Sequence, residues 1–304
     1  MKIEHDFLVL FQARRERSFA TTAERKKHLR AIARDLRACG YAKELRLRGL
    51  GGRHVNKLVR HWQQAGLSTG TIQNRLASLR WALAKVGRAH VMARTNAAYG
   101  VGKRSRSTAS KAAELDPESL GRMGGRYADR IRVSLHLQRY LGLRLEESLK
   151  IQPRLAVVFE DDLPVRVALR GSWCKNGRER TIEIVSARQR EVVLNALSIA
   201  AETHDSMIPR GLSYAQYRNK VYYRCRLAGI RPHALRHRFA QEMYRELTGQ
   251  EAPVINGSIG EWLGSPGASE ADHQARLQIS AVLGHGRKNI TNAYLGPSRQ
   301  RPAP

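Results

Sequence analysis

The 304-residue chain carries 54 Lys+Arg against 26 Asp+Glu, a formal net charge of +28, which is far more than solubility requires and points to a polyanionic partner. Hydrophobic residues make up 42%, which excludes wholesale disorder. The longest early apolar run, Phe7 to Phe11, is too short and too closely flanked by charge for a signal peptide or a spanning helix, so no membrane association and a cytoplasmic, nucleoid-associated location are expected. Cys39, Cys174 and Cys225 stand far apart, which excludes a disulfide framework or a zinc ribbon.

The positive charge is densest at the start. Residues 1–110 hold 24 Lys+Arg and 6 Asp+Glu, net +18, and residues 111–304 hold 30 and 20, net +10. His5 to Cys39 reads as two helices, with Thr21 or Thr22 as a cap for the second and Gly40 as its end. Arg53 to Ala65 continues as a helix. After a GLSTGT turn, Thr69 or Thr71 is placed to cap a helix whose Ile72, Leu76, Leu79, Leu83 and Val86 fall on one stripe. Residues 1–99 are therefore expected to form a small all-helical domain. Thr71, Asn74 and Arg75, at the start of its last helix, are candidates for phosphate or base contacts, or simply members of an ordinary capped helix. The stretch GVGKRSRSTASK is small, basic and without apolar periodicity, so residues 100–112 read as a linker lying against a polyanion.

The second domain, residues 113–304, opens with LDPESL, where Asp116 is a cap and Pro117 suits a first helical turn. The apolar stripe Ile131, Leu135, Leu137 and Leu141 predicts a helix. VVFEDD, PVRVAL and RTIEIV then read as three short strands of an antiparallel sheet. Helical periodicity returns over 186–201, 214–227 and 233–247. The expected fold class is mainly α with a small antiparallel sheet. One stretch breaks the charge pattern: residues 249–274 contain no Lys or Arg, four acids (Glu251, Glu261, Glu270 and Asp272), five glycines and two prolines. It reads as an acidic, Gly-rich insertion, a long loop or flap turned away from the polyanion.

Several residues suit chemistry on a phosphodiester. Guanidiniums bind non-bridging phosphate oxygens bidentately and stay charged, and Arg144 and Arg236 fit that role. A sugar hydroxyl leaves poorly as alkoxide, so a general acid is needed, and Lys175 on a turn between strands can reach the leaving oxygen. It shares that connection with Arg178 and Arg180, and a solvated lysine is the plain alternative. Glu147 lies three residues after Arg144, on the same helical face, where it can orient that arginine; a purely structural ion pair is the other reading. His237, beside Arg236, reads as a helix-packing histidine, with a second active-site donor as the alternative, and is left out of the catalytic set. A tyrosine used as a nucleophile must be activated, because holding its hydroxyl as phenolate at pH 7 costs roughly 4 kcal/mol.

Four patterns occur in order: LGLRLEES around Arg144, the Lys175-Asn-Gly turn, HALRHRF from His233 to Phe239, and LGHGRKNITNAY ending at Tyr294. A His three places before an Arg is expected about 1.5 times by chance in this composition, so the weight lies in order and context rather than in any single motif. Together the patterns resemble the tyrosine recombinase, or phage-type integrase, family over most of residues 116–296. The STGTIQNRLASLR helix resembles the family's core-binding domain more loosely. The resemblance implies an all-helical core-binding domain joined to an α/β catalytic domain, with Arg144, Lys175, His233, Arg236, His285 and Tyr294 as the catalytic set. It assigns proton transfer at the nucleophile to His233, a hydrogen bond to a phosphate oxygen to His285, and a 3′-phosphotyrosyl link to Tyr294.

Bond energy stored in that link makes rejoining independent of ATP, metal ligands and any other cofactor. The implied function is site-specific recombination, integration or excision of a mobile element, on double-stranded DNA carrying specific sites. The implied assembly is a homo-tetramer on two DNA sites, with an accessory DNA-bending or directionality factor as a possible further partner. A catalytically silent DNA-binding regulator or architectural protein on the same scaffold, or a relaxing topoisomerase, is the alternative. Two departures stand out. The acidic 249–274 stretch lengthens the interval between His233 and His285, and the Pro-containing tail after Tyr294 is not expected to form a helix donated to a neighbouring protomer.

Overall fold

The computed structural model describes residues 2–12, 19–41, 43–104, 109–202, 204–256, 260–286 and 290–298. The chain divides into two compact units, residues 1–106 and 107–304. The fold is mainly α with one three-stranded antiparallel sheet.

The first unit holds α1 (Lys2–Gln12), α2 (Phe19–Ala38), α3 (Gly52–Gln64) and α4 (Thr69–Lys85). Their apolar faces enclose a core that includes Leu29, Ile32, Leu36, Leu58, Trp62, Leu76, Leu79 and Leu83. Gly40, at φ 84, ends α2 in the left-handed region, where glycine is favoured. Thr21 and Thr22, expected as caps, lie inside α2. The cap of α4 is Ser68 rather than Thr69 or Thr71: its hydroxyl accepts the backbone N–H of Thr71 at 3.3 Å. The helix thus starts at Thr69, one residue earlier than a Thr69 cap and three earlier than a Thr71 cap would give, because only a residue still in extended backbone can aim its side chain at the orphan amides. The stretch read as a linker begins against this unit. Val101 is buried in its core, and the Arg104 guanidinium donates to Gln73 Oε1 at 2.9 Å and Asn74 Oδ1 at 2.5 Å. Residues 105–108 lie outside the described residues.

The second unit begins with α5 (Pro117–Gly121), capped by the Asp116 carboxylate, followed by α6 (Ala128–Leu141), α7 (Leu145–Lys150) and α8 (Pro153–Ala156). The strands β1 (Val157–Glu160), β2 (Leu163–Leu169) and β3 (Arg180–Glu183) pair antiparallel in the order β1-β2-β3. Asp161 and Asp162, at φ 47 and 62, make the two-residue turn between the first two strands, a conformation short polar side chains tolerate. One face of the sheet, with Val167, Leu169 and Ile182, packs into a cluster with Leu137, Leu141, Val192 and Val193. The latter pair belong to α9 (Ala187–Ile199), which precedes α10 (Tyr214–Leu227) and α11 (Pro232–Thr248).

The acidic stretch is not the open loop its composition suggested. It contains the one-turn helices α12 (Pro253–Asn256) and α13 (Gly260–Leu263), and its end is the first half of α14 (Ala268–Val282). Ala268, Asp272, Ala275, Arg276 and Ile279 are buried, a helical spacing that spans the boundary drawn at residue 274 and so escaped a reading by composition. Residues 257–259 lie outside the described residues, as does the tail from 299. A last short helix, α15 (Asn292–Leu295), carries Tyr294. Among the described residues no helix is long and apolar enough to cross a membrane.

Candidate active site

Three chain reversals build the site in the second unit. The first follows α6, where Gly142 takes φ 63. An added Cβ there would stand 2.4 Å from the Phe239 ring, so this position needs glycine for both its conformation and its space. The chain then extends through buried Leu143 to Arg144, which precedes α7 and whose backbone N–H donates to Glu147 Oε2 at 2.7 Å. The second is the start of α11. Pro232 occupies the first helical position, and Ala234, Leu235, Arg236, His237, Phe239, Ala240, Gln241 and Tyr244 are buried. The third is the end of α14. Gly284 N–H donates to Ala281 O and His285 N–H to Ser280 O at 2.8 Å, with Gly284 at φ 61. This pairing of the two residues past the helix end with its last carbonyls is the Schellman motif, and it fixes His285 just beyond the helix.

These reversals surround one buried carboxylate. Glu147 is fully buried and receives Arg144 Nη1 at 2.6 Å, Arg180 Nη2 at 2.7 Å and Arg180 Nη1 at 3.1 Å, with Arg236 Nη1 at 3.7 Å. Burial pushes its carboxyl up, but hydrogen bonds and charge from Arg180, then Arg144, overcome this and hold it at about 2. Three guanidiniums around one carboxylate leave a local excess of two positive charges, suited to an anion.

Arg236 is fully buried; it donates to the carbonyls of Gly142 and Leu283 and, through Nε, to the Tyr294 hydroxyl at 3.3 Å. Its Nη2 lies 3.3 Å from His285 Nε2. The Tyr294 ring is enclosed by three imidazoles, His237 at 4.5 Å, His285 at 5.3 Å and His233 at 5.9 Å between ring centres. Burial, then the charges of Arg236 and Arg144, lowers His285 to about 3. Burial and the same two arginines lower His233. Burial, then His233 and Lys111, lowers His237 to about 4. At neutral pH all three are uncharged bases next to a phenol.

Arg144, Lys175, His233, His285 and Tyr294 line one cleft of about 1240 Å³, together with Arg178, Arg218 and Arg226. Arg236 stands behind its wall. Lys175 is exposed, on a single 3₁₀ turn, Lys175–Gly177, between β2 and β3. The structure therefore brings the six candidates and Glu147 to one place. Thr71, Asn74 and Arg75 are on α4 of the other unit and already have partners. Thr71 Oγ1 is 2.9 Å from Ser68 Oγ, Asn74 accepts from Arg104, and Arg75 donates at 2.7 Å to Asp35, a largely buried carboxylate that also accepts Trp62 Nε1 at 2.8 Å. Among the described residues no group of three or more His, Cys, Asp or Glu is placed to hold a metal ion.

His237 reads in sequence as a packing residue or a second donor, and the roles of three further residues, Gln241, Arg276 and Arg180, escaped that reading. His237 packs on the nucleophile candidate itself, and Gln241 Nε2 donates to the Tyr294 carbonyl at 2.9 Å. Arg276 bonds Asp272 at 2.7 Å, Asn292 at 3.0 Å and the Gly296 carbonyl at 2.9 Å, thereby anchoring α15. The i,i+4 spacing of Asp272 and Arg276 was the available signal. Arg180 gave none, because its partners are remote in sequence.

A family profile described as "Phage integrase, N-terminal" matches residues 2–92, and one described as "Integrase" matches residues 100–242. No curated protein sequence matches the chain. Solved structures do. The Tn1549 transposon integrase in complex with circular intermediate DNA is 14% identical, with 98% of this chain and 96% of that one covered and a TM-score of 0.55. A lambda integrase dimer bound to a COC′ core site is 14% identical, with 98% of each chain covered and a TM-score of 0.59. A lambda integrase tetramer bound to a Holliday junction is 13% identical, with 98% of this chain and 79% of that one covered and a TM-score of 0.56. At such identities the likeness is one of fold.

Proposed function

The chain belongs to the tyrosine recombinase, or phage-type integrase, family, and from that premise we propose that it is a site-specific DNA recombinase that cleaves and rejoins strands through a 3′-phosphotyrosyl link to Tyr294. The observation that carries the reading is the Tyr294 hydroxyl held on Arg236 Nε at 3.3 Å, in a cleft with two uncompensated positive charges.

In this reading the scissile phosphate enters the cleft and its non-bridging oxygens take the free donors of Arg144 together with a hydrogen bond from His285, while Arg236, behind the wall, adds its charge and holds the Tyr294 hydroxyl. Such preorganised donors contribute about 100- to 1000-fold each in rate. His233, uncharged at neutral pH, takes the proton of Tyr294 as the phenolic oxygen attacks phosphorus. The P–O5′ bond breaks, Lys175 protonates the departing 5′ oxygen, and the strand remains attached through its 3′ phosphate. Attack by a 5′ hydroxyl of the partner strand reverses each step, so the number of phosphodiester bonds is conserved and no ATP is consumed.

The solved tetramer on a Holliday junction supports the further proposal that four copies of this chain join two DNA sites, and the transposon integrase supports action on a mobile element. An accessory bending or directionality protein fits such an assembly. The test is a nicked suicide duplex carrying the attachment site, incubated without metal or ATP. A detergent-resistant protein–DNA adduct that disappears in Tyr294→Phe is the expected result. Tight, salt-dependent binding to that site without any adduct would instead identify a silent DNA-binding regulator.

A further inference from the structure

Arg180, which the sequence groups with Lys175 and Arg178 on one turn, is the first residue of β3. In the structure it turns inward, its side chain only 7% exposed, and it does not line the cleft. Its guanidinium nevertheless touches three of the segments that present cleft residues, those carrying Arg144, Lys175 and His285. Nε donates to Val282 O at 2.7 Å, at the end of the helix that delivers His285. Nη1 and Nη2 grip both oxygens of Glu147, which holds Arg144. Nη1 also lies 3.6 Å from Cys174 Sγ, the residue preceding Lys175. The same nitrogen would be 2.8 Å from a Cβ on residue 284, so the glycine that forms the Schellman turn also admits this guanidinium.

Taking the cleavage reading above as its basis, we propose that Arg180 is a positioning residue of the reaction: without touching DNA, it locks Glu147 with Arg144, the turn carrying His285 and the segment carrying Lys175 into one register. Stability alone does not call for this arrangement, since a buried ion pair replaced as a whole by apolar side chains of similar volume is often no less stable. The planar fork matters because one group must meet a carboxylate edge-on with two nitrogens while a third nitrogen holds a carbonyl on another element. An ammonium, a single point of charge, cannot make both contacts in that geometry.

The test compares wild type, Arg180→Met, Arg180→Lys and Arg180→Ala on the nicked suicide duplex under single-turnover conditions, with binding to the uncut duplex and thermal unfolding measured in parallel. In Arg180→Met and Arg180→Lys we expect adduct formation to slow about 100-fold, the usual effect of misplacing a reacting group by about 1 Å. Binding of the uncut duplex should stay within about threefold of wild type, since only the chemical step is affected. Millimolar ethylguanidinium should restore part of the rate to Arg180→Ala and none to Arg180→Lys, a rescue that a merely structural role does not predict. Cleavage at the wild-type rate in Arg180→Met, or a fall in cleavage matched by an equal fall in binding, would overturn the proposal. Should Arg180→Met not unfold cooperatively, Arg180→Lys decides, and a wild-type rate there overturns it. Absence of an adduct in the wild type would overturn the cleavage reading, and with it the role given to Arg180, whereas wild-type cleavage with unaffected variants removes only the latter.

Discussion

Glu147 concentrates the electrostatics of the site in one side chain. It is fully buried with guanidiniums on both oxygens, so replacing it with glutamine leaves three cations without their counter-charge. Breaking a buried pair in this way costs about 3–5 kcal/mol, and thermal denaturation of Glu147→Gln should show a corresponding drop in melting temperature. The pH dependence has a definite sign. With its carboxyl held at about 2 against an ordinary value of 4.5, Glu147 contributes stability that is fully present above 4.5 and is lost as pH falls toward 2. His233, His237 and His285 act earlier. Each is lowered below the ordinary 6.5, so the unfolded chain binds protons that the folded one refuses, and stability measured by denaturant titration should fall as pH drops below 6.5. Lys175 has its own test. If it protonates the departing oxygen, Lys175→Ala should cleave an ordinary phosphodiester slowly, and a substrate with a 5′-bridging sulfur, a good leaving group without protonation, at close to the wild-type rate.

At the scale of elements, short reversals set the geometry more than long helices do. Gly142 ends α6 in the left-handed region, and its carbonyl accepts from Arg236. Alanine there meets both the conformational penalty and the Phe239 ring, a combination worth about 2 kcal/mol or more. Gly142→Ala should therefore lower both melting temperature and cleavage rate, because the shifted carbonyl moves the guanidinium that holds Tyr294. The Ser68 cap lies in the other unit and makes a contrast: Ser68→Ala should cost about 1 kcal/mol in the unfolding of α4 and leave the chemistry at Tyr294 unchanged once DNA is bound. The ends of helices were legible at Gly40, which closes α2, and at Asp116–Pro117, which opens α5. The cap at Ser68 was not, because Ser-Thr-Gly-Thr offers three adjacent hydroxyls and sequence spacing does not say which one remains outside the helix.

For the whole molecule, net charge makes the broadest prediction. Lys and Arg exceed acids by 28, and a protein that neutralises six to ten phosphates loses about 10³- to 10⁵-fold in affinity between 50 and 200 mM salt. A salt titration of duplex binding should show a slope in that range, whereas cleavage within the bound complex, governed by buried groups, should be far less sensitive. The amino-acid sequence by itself determined the helical class, the three strands and the basic charge, since each rests on local periodicity, turn residues or composition, while the set Arg144, Lys175, His233, Arg236, His285 and Tyr294 was singled out by four motifs in the order in which the resembling family carries them. Only the tertiary structure decided that the acidic stretch becomes a helix clamping α15 through Arg276, that Arg75 is tied to Asp35 rather than free, and that Arg180 faces inward while Arg178, two residues earlier, lines the cleft. The physical reason is common to all three. The direction of a long cationic side chain is set by which buried carboxylate or carbonyl it can reach: Asp35 and Glu147 lie on elements remote in sequence from Arg75 and Arg180, and Arg276, though Asp272 is local to it, holds Asn292 and the Gly296 carbonyl beyond its own helix.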